Sequence, residues 1–441
     1  MSRLVLPAEL LTSLRSEMLQ QREEACAILF GRSVTISGKL ARIVVNKSIR
    51  PHSDAYTFRT SMSAQLRPEF VAEVTQQARR NKGSVIFVHT HPHSLNEFSK
   101  IDDTGEAELE TFINQRIPGV SHAAMLLTPQ TSIARELGRC RPLRVIGVGD
   151  KITWGETADM IDSVNRYDRQ IRAFGITGQQ ILASLRVGIV GLGGTGSIVL
   201  QQLVHLGVNN FLLLDPDIVE ATNLNRLVGV TPTDVGRSKV AVAEEWARKI
   251  NPKVYIEAKE ESALKSSIAR SLATTDFVFC CTDSHGSRAV LNQLAYQYLV
   301  PVIDMGVVIA TQQGHVTHIA GRTQMLTPGL ACMVCGNLLD SEQVRRDLLT
   351  DFERKADPYI IDEAEPAPSV ISLNSTMASL AITMFLNAVL GIPGSSRFLN
   401  YNAITGVCRP AFCTPHPSCI VCSPRGAFAR GDEWPLPGRQ D

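Results

Sequence analysis

The chain has 441 residues, more than one ordinary hydrophobic core accommodates, so two or three domains are expected. An apolar fraction of 44%, a charged fraction of 20% and a formal net charge of +1 are those of a soluble globular protein, and they give no support to a nucleic-acid or membrane partner. The opening MSRLVLPAEL lacks the apolar core of an export signal, so the cytoplasm is the expected compartment and the ten cysteines are not expected to form disulfides.

Residues 24–31 (EACAILFG) and 84–89 (SVIFVH) are apolar runs of strand length. Residues 62–82 between them read as a helix, with Pro68 in a first-turn position, and MLLT from Met125 reads as another strand. This mixture predicts an α+β domain over 1–147. Residues 148–163 have little periodicity and are taken as a linker. From Arg186 the pattern becomes strand (RVGIV), glycine turn, helix (SIVLQQLVHLGV), strand (FLLLD), helix (SKVAVAEEWARKIN), strand (VYIEA) and strand (DFVFCCTD). Alternation of this kind predicts a doubly wound, mostly parallel α/β sheet over 164–425. The apolar stretch 371–392 is interrupted by Asn374, Ser375, Thr376, Ser379, Thr383 and Asn387, which suits a buried helix better than a membrane span. The polar tail 426–441 is expected to be loose.

In the N-terminal part the informative segment is VHTHPHSLNEFSKIDD. His89 and His91 are two apart, so on an extended strand they point to the same side and can share a metal. A helix beginning near Ser99 could add Asp102 as a third ligand. Two imidazoles and a carboxylate leave one position open, as in catalytic zinc sites, where the metal lowers the pKa of water towards about 7. A base must then take the proton, and Glu24 is the candidate. An HxH pair alone also occurs as ordinary polar strand residues. The full spacing, His-x-His-Pro, six residues, Ser, two residues, Asp, resembles that of the JAMM (MPN+) metallopeptidases, which cut isopeptide and peptide bonds after ubiquitin-like C-termini. That resemblance implies His89, His91 and Asp102 as zinc ligands, Glu24 as base and Ser99 as the oxyanion-steadying group. Ala27 stands where the family usually has Gly. Glu23, the neighbour that could be confused with Glu24, is expected to face the other way.

In the C-terminal part, GLGGTG places Gly191, Gly193 and Gly196 between a strand and a helix, which suits a phosphate at the helix N-terminus. Asp215 ends the next strand, where a ribose-binding carboxylate belongs. These features alone also suit an NAD-dependent dehydrogenase. Arg166 and Arg169 in RYDRQ, Asn223, Asn225 and Arg226 in NLNR, Lys239, and Asp283 in CTD redirect the reading. Basic groups near a nucleotide suit a triphosphate, and Asp283 at a strand's end suits Mg²⁺. The set resembles the ThiF/MoeB adenylyltransferases and the related ubiquitin-activating enzymes. The resemblance implies ATP as cofactor, Asp215 on ribose, Asn223, Arg226 and Lys239 on phosphate, Asp283 on Mg²⁺, and Arg169 reaching the partner's site across a homodimer. Cys332-x-x-Cys335 and Cys419-x-x-Cys422 have the spacing of a closed structural zinc site, and the same family carries such a knot there. Cys413 is a bystander or alternate ligand. Residues 336–370 contain no Cys, so a thioester-forming nucleophile of the activating enzymes has no obvious counterpart.

The joint implication is an enzyme with two centres. A zinc (iso)peptidase and an ATP-dependent adenylating domain would act on one small ubiquitin-like protein with a C-terminal glycine. The setting would be a bacterial ubiquitin-like conjugation pathway, with antiviral defence as one context. A conjugating-enzyme homologue or a sulfur donor would be the further partner. Sulfur-carrier activation and a non-catalytic modifier-binding scaffold are the alternatives.

Overall fold

The computed structural model describes residues 1–92, 96–155, 164–357, 367–394 and 396–439. Two compact units are present. The first comprises the N-terminal part of the chain with Gln297–Leu299 and Ala427–Trp434, and the second holds the rest.

The strands of the first unit are β1 (Ser2–Pro7), β2 (Cys26–Ile36), β3 (Lys39–Ile49), the hairpin β4 (Tyr56–Arg59) and β5 (Ala64–Leu66), β6 (Ser84–Thr90), β7 (Ala123–Leu127), β8 (Ser132–Glu136), β9 (Pro142–Val148) and β10 (Thr153–Trp154). Its helices are α1 (Ala8–Met18), α2 (Pro68–Arg80) and α3 (Lys100–Asn114). The main sheet runs β1-β3-β2-β6-β7-β8-β9-β10, and β1 also pairs with β9, so the sheet curls back on itself. Both of its faces are covered. Ala27, Leu29, Ile86 and Val88 pack into one core with α1, while Ile28, Phe30, Val85 and Phe87 pack into a second core with residues of α2 and α3. Burial on both faces is why EACAILFG and SVIFVH read as unbroken apolar runs and not as alternating ones.

Two expectations are corrected here. The helix predicted over 62–82 starts only at Pro68, and Ala64–Leu66 is a strand. Arg67 precedes proline and is held extended, while Pro68 opens the helix. Within the linker expected over 148–163, Thr153–Trp154 adds to β9 as a strand, and 156–163 lie outside the described residues.

The second unit contains β11 (Arg186–Val190), β12 (Asn210–Leu214), β13 (Tyr255–Lys259), β14 (Phe277–Cys280), β15 (Val302–Gln312), β16 (His315–Leu326), β17 (Phe398–Asn402) and β18 (Val407–Pro410). Its helices are α4 (Asp168–Ser184), α5 (Gly194–Leu206), α6 (Lys239–Ile250), α7 (Ser266–Ser271), α8 (His285–Gln297), α9 (Ser341–Leu348), α10 (Asp351–Ala356) and α11 (Ile371–Val389). The sheet order is β13-β12-β11-β14-β15-β16-β17-β18. The pairs from β13 to β15 are parallel and those from β15 to β18 antiparallel. Strand order reverses between β11 and β14, and ligands of such sheets bind outside the carboxyl ends of the strands at that switch point.

Helix α11 is long and apolar enough to cross a membrane by length and composition. Here it is a core helix: Met377, Ala381, Phe385 and Val389 are buried, and Phe385 meets Phe277 edge-on with ring centroids 5.0 Å apart. The tail expected to be loose is packed. Ala427 and Ala429 are fully buried and Leu436 nearly so, because the polar segment carries a few small and apolar side chains that composition averages out.

Candidate functional sites

In the first unit β6 lies between β2 and β7, with His89 opposite Cys26 on one side and beside Leu126 on the other. His91 follows the strand's end, its N–H donating to Leu127 O at 3.0 Å. Ser99 caps α3. Its Oγ accepts from Asp102 N at 3.2 Å, and its own N–H donates to Asp102 Oδ2 at 2.6 Å, a reciprocal capping box. The box turns Asp102 towards the histidines: His89 Nε2 is 3.2 Å from Oδ1 and His91 Nε2 is 3.5 Å from Oδ2. Arg135 on β8 anchors the helix by two hydrogen bonds to the buried Glu106, at 2.9 and 3.0 Å.

Glu24 stands two residues before β2. Its N–H donates to Thr60 O at 2.8 Å and its C=O accepts from Arg59 Nε at 2.9 Å. The β4–β5 turn thus fixes Glu24, whose Oε1 lies 3.7 Å from His91 Nε2. Glu23 points elsewhere: its side chain is 56% exposed, against 7% for Glu24. Burial pushes the Glu24 carboxyl up from its usual range, partly offset by the two histidines. Burial would also raise Asp102, but hydrogen bonds from His89 and His91 more than compensate and hold its carboxyl low.

The donor set fits a metal. The ligand atoms of His89, His91 and Asp102 all lie within 4.8 Å of one another. His89 Nε2 is buried and faces the Asp102 carboxylate at 3.2 Å, so potential ligand atoms of a strand and a helix point into one space, as a metal site requires. The capping geometry also gives Ser99 a structural task that the sequence reading had not included.

In the second unit Gly191, Gly193 and Gly196 lie on the turn from β11 to α5. Gly191 has φ +89°, and a Cβ on Gly196 would fall 1.9 Å from Gly191 O, so both positions need glycine for the protein's own sake. A Cβ on Gly193 would meet no protein atom within 4 Å. Space there suits close approach of a ligand to the backbone. Asp215 is buried, with Oδ2 accepting from Leu192 N at 2.5 Å and Oδ1 from Asp217 N at 2.9 Å. The expected ribose carboxylate therefore also braces the glycine turn. Burial raises its pKa, and Lys239 pulls it back. Lys239 Nζ is 2.7 Å from Asp217 Oδ2.

Asn223 is buried, its Oδ1 accepting from Glu220 N at 3.3 Å. Arg226 Nη1 donates to Thr222 O at 2.6 Å, and its Cδ lies near Gly194 at the start of α5. Asp283 is exposed, three residues past β14. Arg169 is exposed in the first turn of α4, whereas Arg166 Nη2 donates to Ile250 O at 2.9 Å and so closes the end of α6. Cys280 and Cys281 are buried, and burial pushes both thiols far up, which makes them poor nucleophiles.

One charged cluster was missed from the sequence. Asp304 on β15 is fully buried and binds Arg288 Nε of α8 at 3.1 Å and Arg322 Nη2 of β16 at 2.6 Å. A single Asp inside the apolar PVIDMGV run was the signal, because a charge is not buried without partners.

The four cysteines meet. Sγ–Sγ distances are 3.7 Å for Cys332–Cys335, 3.5 Å for Cys332–Cys419 and 3.6 Å for Cys335–Cys422. A tetrahedron with Zn–S near 2.3 Å has edges of about 3.8 Å. Backbone N–H groups of His416 and Val421 point at Cys335 and Cys419 sulfurs at 3.2 and 3.4 Å, as thiolates require. A hydrogen bond from Cys422 holds the Cys332 thiol well down. Structural zinc contributes folding energy, so Cys332→Ser or Cys422→Ser is expected to lower the melting temperature of the full chain and to release one zinc. Unchanged melting and metal content in both variants would remove the knot.

The comparisons agree with this geometry. Residues 167–421 match the ThiF family, and residues 7–136 match prokaryotic homologs of the JAB domain. Molybdopterin-synthase adenylyltransferase of Escherichia coli K12 is 31% identical over 261 residues, covering 58% of this chain and 95% of that protein. SAMP-activating enzyme E1 of Haloferax volcanii is 27% identical over 267 residues, covering 60% and 90%. Ubiquitin-like modifier-activating enzyme 5 of Rattus norvegicus is 26% identical over 312 residues, covering 67% and 73%. With a glycine turn between β11 and α5 and a four-cysteine cluster in the second unit and a His-His-Asp cluster in the first, the chain belongs to the ThiF family and carries a JAB domain ahead of its ThiF domain.

Proposed function

We propose that this protein is an enzyme with two centres acting on one small ubiquitin-like protein: an ATP-dependent adenylyltransferase for its C-terminal glycine and a zinc-dependent (iso)peptidase that processes or deconjugates it. The observation that carries the reading is the convergence of His89, His91 and Asp102, with Glu24 beside them, on a chain whose other part belongs to an adenylating family.

In the adenylating half the modifier's carboxylate attacks the α-phosphate of ATP and pyrophosphate leaves. The open space at Gly193, beside the N-terminus of α5, would admit the phosphates. Arg226 and Lys239 neutralise the charge that crowds at phosphorus, and Asp215 and Asn223 hold the loops that carry the nucleotide. Asp283 would hold Mg²⁺, which supplies further charge neutralisation. In the peptidase half, His89, His91 and Asp102 would hold a zinc ion, which would supply Lewis acidity. Glu24 takes a proton from the attacking water and passes it to the leaving amine, and Ser99, whose hydroxyl hydrogen is not used in the cap, donates to the developing oxyanion.

ATP–pyrophosphate exchange with small proteins encoded nearby, and cleavage of modifier fusions by the same preparation, test the two halves separately. Two zinc ions per chain are expected by metal analysis. A count of one, with no loss on substituting either His91 or Cys422, would remove half of the reading. Sulfur-carrier activation is the second reading. It is favoured by the missing cysteine in 336–370 and by the likeness to the molybdopterin-synthase adenylyltransferase. A conjugating-enzyme homologue among the gene neighbours favours conjugation, bacterial and antiviral in its setting; a sulfurtransferase favours the other. We place the protein in the cytoplasm, where ten unpaired cysteines are chemically at ease.

Arg169 stands exposed at the start of α4 and has no ion-pair partner among the described residues, which suits a group that completes the site of a second copy. A homodimer is therefore expected. Mixing Arg169→Ala chains with Asp283→Ala chains should restore part of the exchange activity, because some heterodimers regain one complete site. A strictly monomeric and fully active protein would overturn it.

A further inference from the structure

Arg439 ties the segment after Pro435 to α7 and α9. Within the second unit, Arg439 forms an isolated parallel bridge with Lys265 at the start of α7. Its N–H donates to Leu264 O at 2.6 Å, and its C=O accepts from Ser266 N at 2.9 Å. The approach is close: a Cβ on Gly438 would sit 2.6 Å from Leu264 O. From this anchor the guanidinium reaches the carbonyls that end α9, with Nη2 donating to Asp347 O at 2.6 Å and Nε to Leu348 O at 3.1 Å. A cation there satisfies carbonyls that the helix itself leaves unpaired.

Helix α9 needs such support. It has eight residues and buries none of them, and so short a helix is marginal alone. Asp340 caps its start, accepting from Glu342 N and Gln343 N at 2.9 and 3.0 Å. Its inner side is tied to the turn after β14. Asp347 Oδ2 accepts from Ser284 Oγ at 2.8 Å and from Gly286 N at 2.9 Å. A Cβ on Gly286 would lie 2.7 Å from Asp347 Cβ, so the contact depends on glycine. Ser284 N donates to Thr282 Oγ1 at 3.1 Å and Asp340 N to His285 Nδ1 at 3.1 Å. Asp283 sits in the middle of this pinned turn.

We propose that Arg439 and Asp347 are positioning residues of the adenylation centre. The C-terminal strap holds α9, and α9 through Asp347 holds the turn that presents Asp283 to the metal–nucleotide complex. What the turn binds rests on the adenylation reading; the mechanical link does not. A purely local staple would stabilise the tail without affecting Asp283. This strap links Leu264, the end of α9 and the Asp283 turn in one continuous series of hydrogen bonds.

The test uses the full chain with Arg439→Ala, Gly438→Val, Asp347→Asn and the conservative Arg439→Lys. Amide hydrogen exchange reads residues 282–287 and 341–348, and ATP binding is titrated with Mg²⁺. Arg439→Ala and Gly438→Val remove the strap by different means. Each is expected to speed exchange in both segments and to raise the Mg²⁺ needed for half-maximal ATP binding about tenfold, the effect of losing one charged hydrogen bond. Arg439→Lys should restore part of both. Asp347→Asn should loosen 282–287 and leave Leu264–Ser266 protected. Unchanged protection of 282–287 in both strap variants overturns the link. Lost protection with unchanged Mg²⁺ dependence overturns the positioning role. A wild-type chain that binds no ATP at any Mg²⁺ concentration defeats the adenylation reading, while hydrogen exchange still decides the strap.

Discussion

Lys239→Ala is expected to lose ATP–pyrophosphate exchange by roughly a hundredfold or more, the scale of removing one preorganised donor from a site where charge develops. The ammonium is held in advance. Its Nζ lies 2.7 Å from Asp217 Oδ2, and the side chain is only 12% exposed. Its charge also offsets the burial that raises Asp215. Without it Asp215 is easier to protonate, and its hydrogen bond from Leu192 N, which braces the glycine turn, weakens. Loss of charge neutralisation and loosening of the phosphate loop therefore act in the same direction. Lys239→Arg keeps the charge but replaces a compact ammonium with a planar fork, so partial activity is expected. Cleavage of a modifier fusion should continue in both variants, because that chemistry belongs to other residues. Wild-type exchange in Lys239→Ala would remove Lys239 from the mechanism.

Glu24→Gln is expected to slow fusion cleavage by roughly 10²–10⁴-fold, the usual worth of a positioned general base, while zinc content stays at the wild-type level. The amide keeps the shape of the carboxylate and cannot take a proton. Glu24 sits 3.7 Å from His91 Nε2 and is fixed by backbone bonds to the β4–β5 turn, so the substitution should leave the ligands in place. Glu23→Gln is the control, since that side chain lies near Arg59 and is mostly exposed. Normal cleavage by Glu24→Gln together with a dead Glu23→Gln would reverse the assignment.

Much of both centres was legible in short spacings. An HxH running off the end of a strand, a Ser-x-x-Asp that opens a helix, a glycine turn between strand and helix, and two CxxC pairs each have geometry set mainly by neighbours within a few residues. The same locality made the α/β alternation after Arg186 readable. Errors arose where tertiary contacts outweigh local preference. The segment before Pro68 looks helical in composition and forms a strand of a hairpin, because the residue before proline is kept extended and the hairpin gives Ala64–Leu66 a partner.

What the sequence by itself determined is the chemistry available: which side chains can bind metal or phosphate, and which local turn or cap presents them. Tertiary structure decided which distant residues join them. Glu24 reaches His91 only because β2 and β6 pair antiparallel with Cys26 opposite His89, a register set by two buried faces of the sheet and not by spacing along the chain. Arg322 meets Asp304 because β15 and β16 pair, and Arg288 reaches it from α8, the helix that joins β14 to β15. The polar tail composed of Gly, Pro and Arg carries no periodic signal, yet the backbone N–H of Arg439 finds the Leu264 carbonyl before α7 while its guanidinium finds the carbonyls at the end of α9, groups that only the folded second unit brings together. Hydrogen bonds between distant segments depend on donors and acceptors that no local pattern records, and folding is what places them at bonding distance.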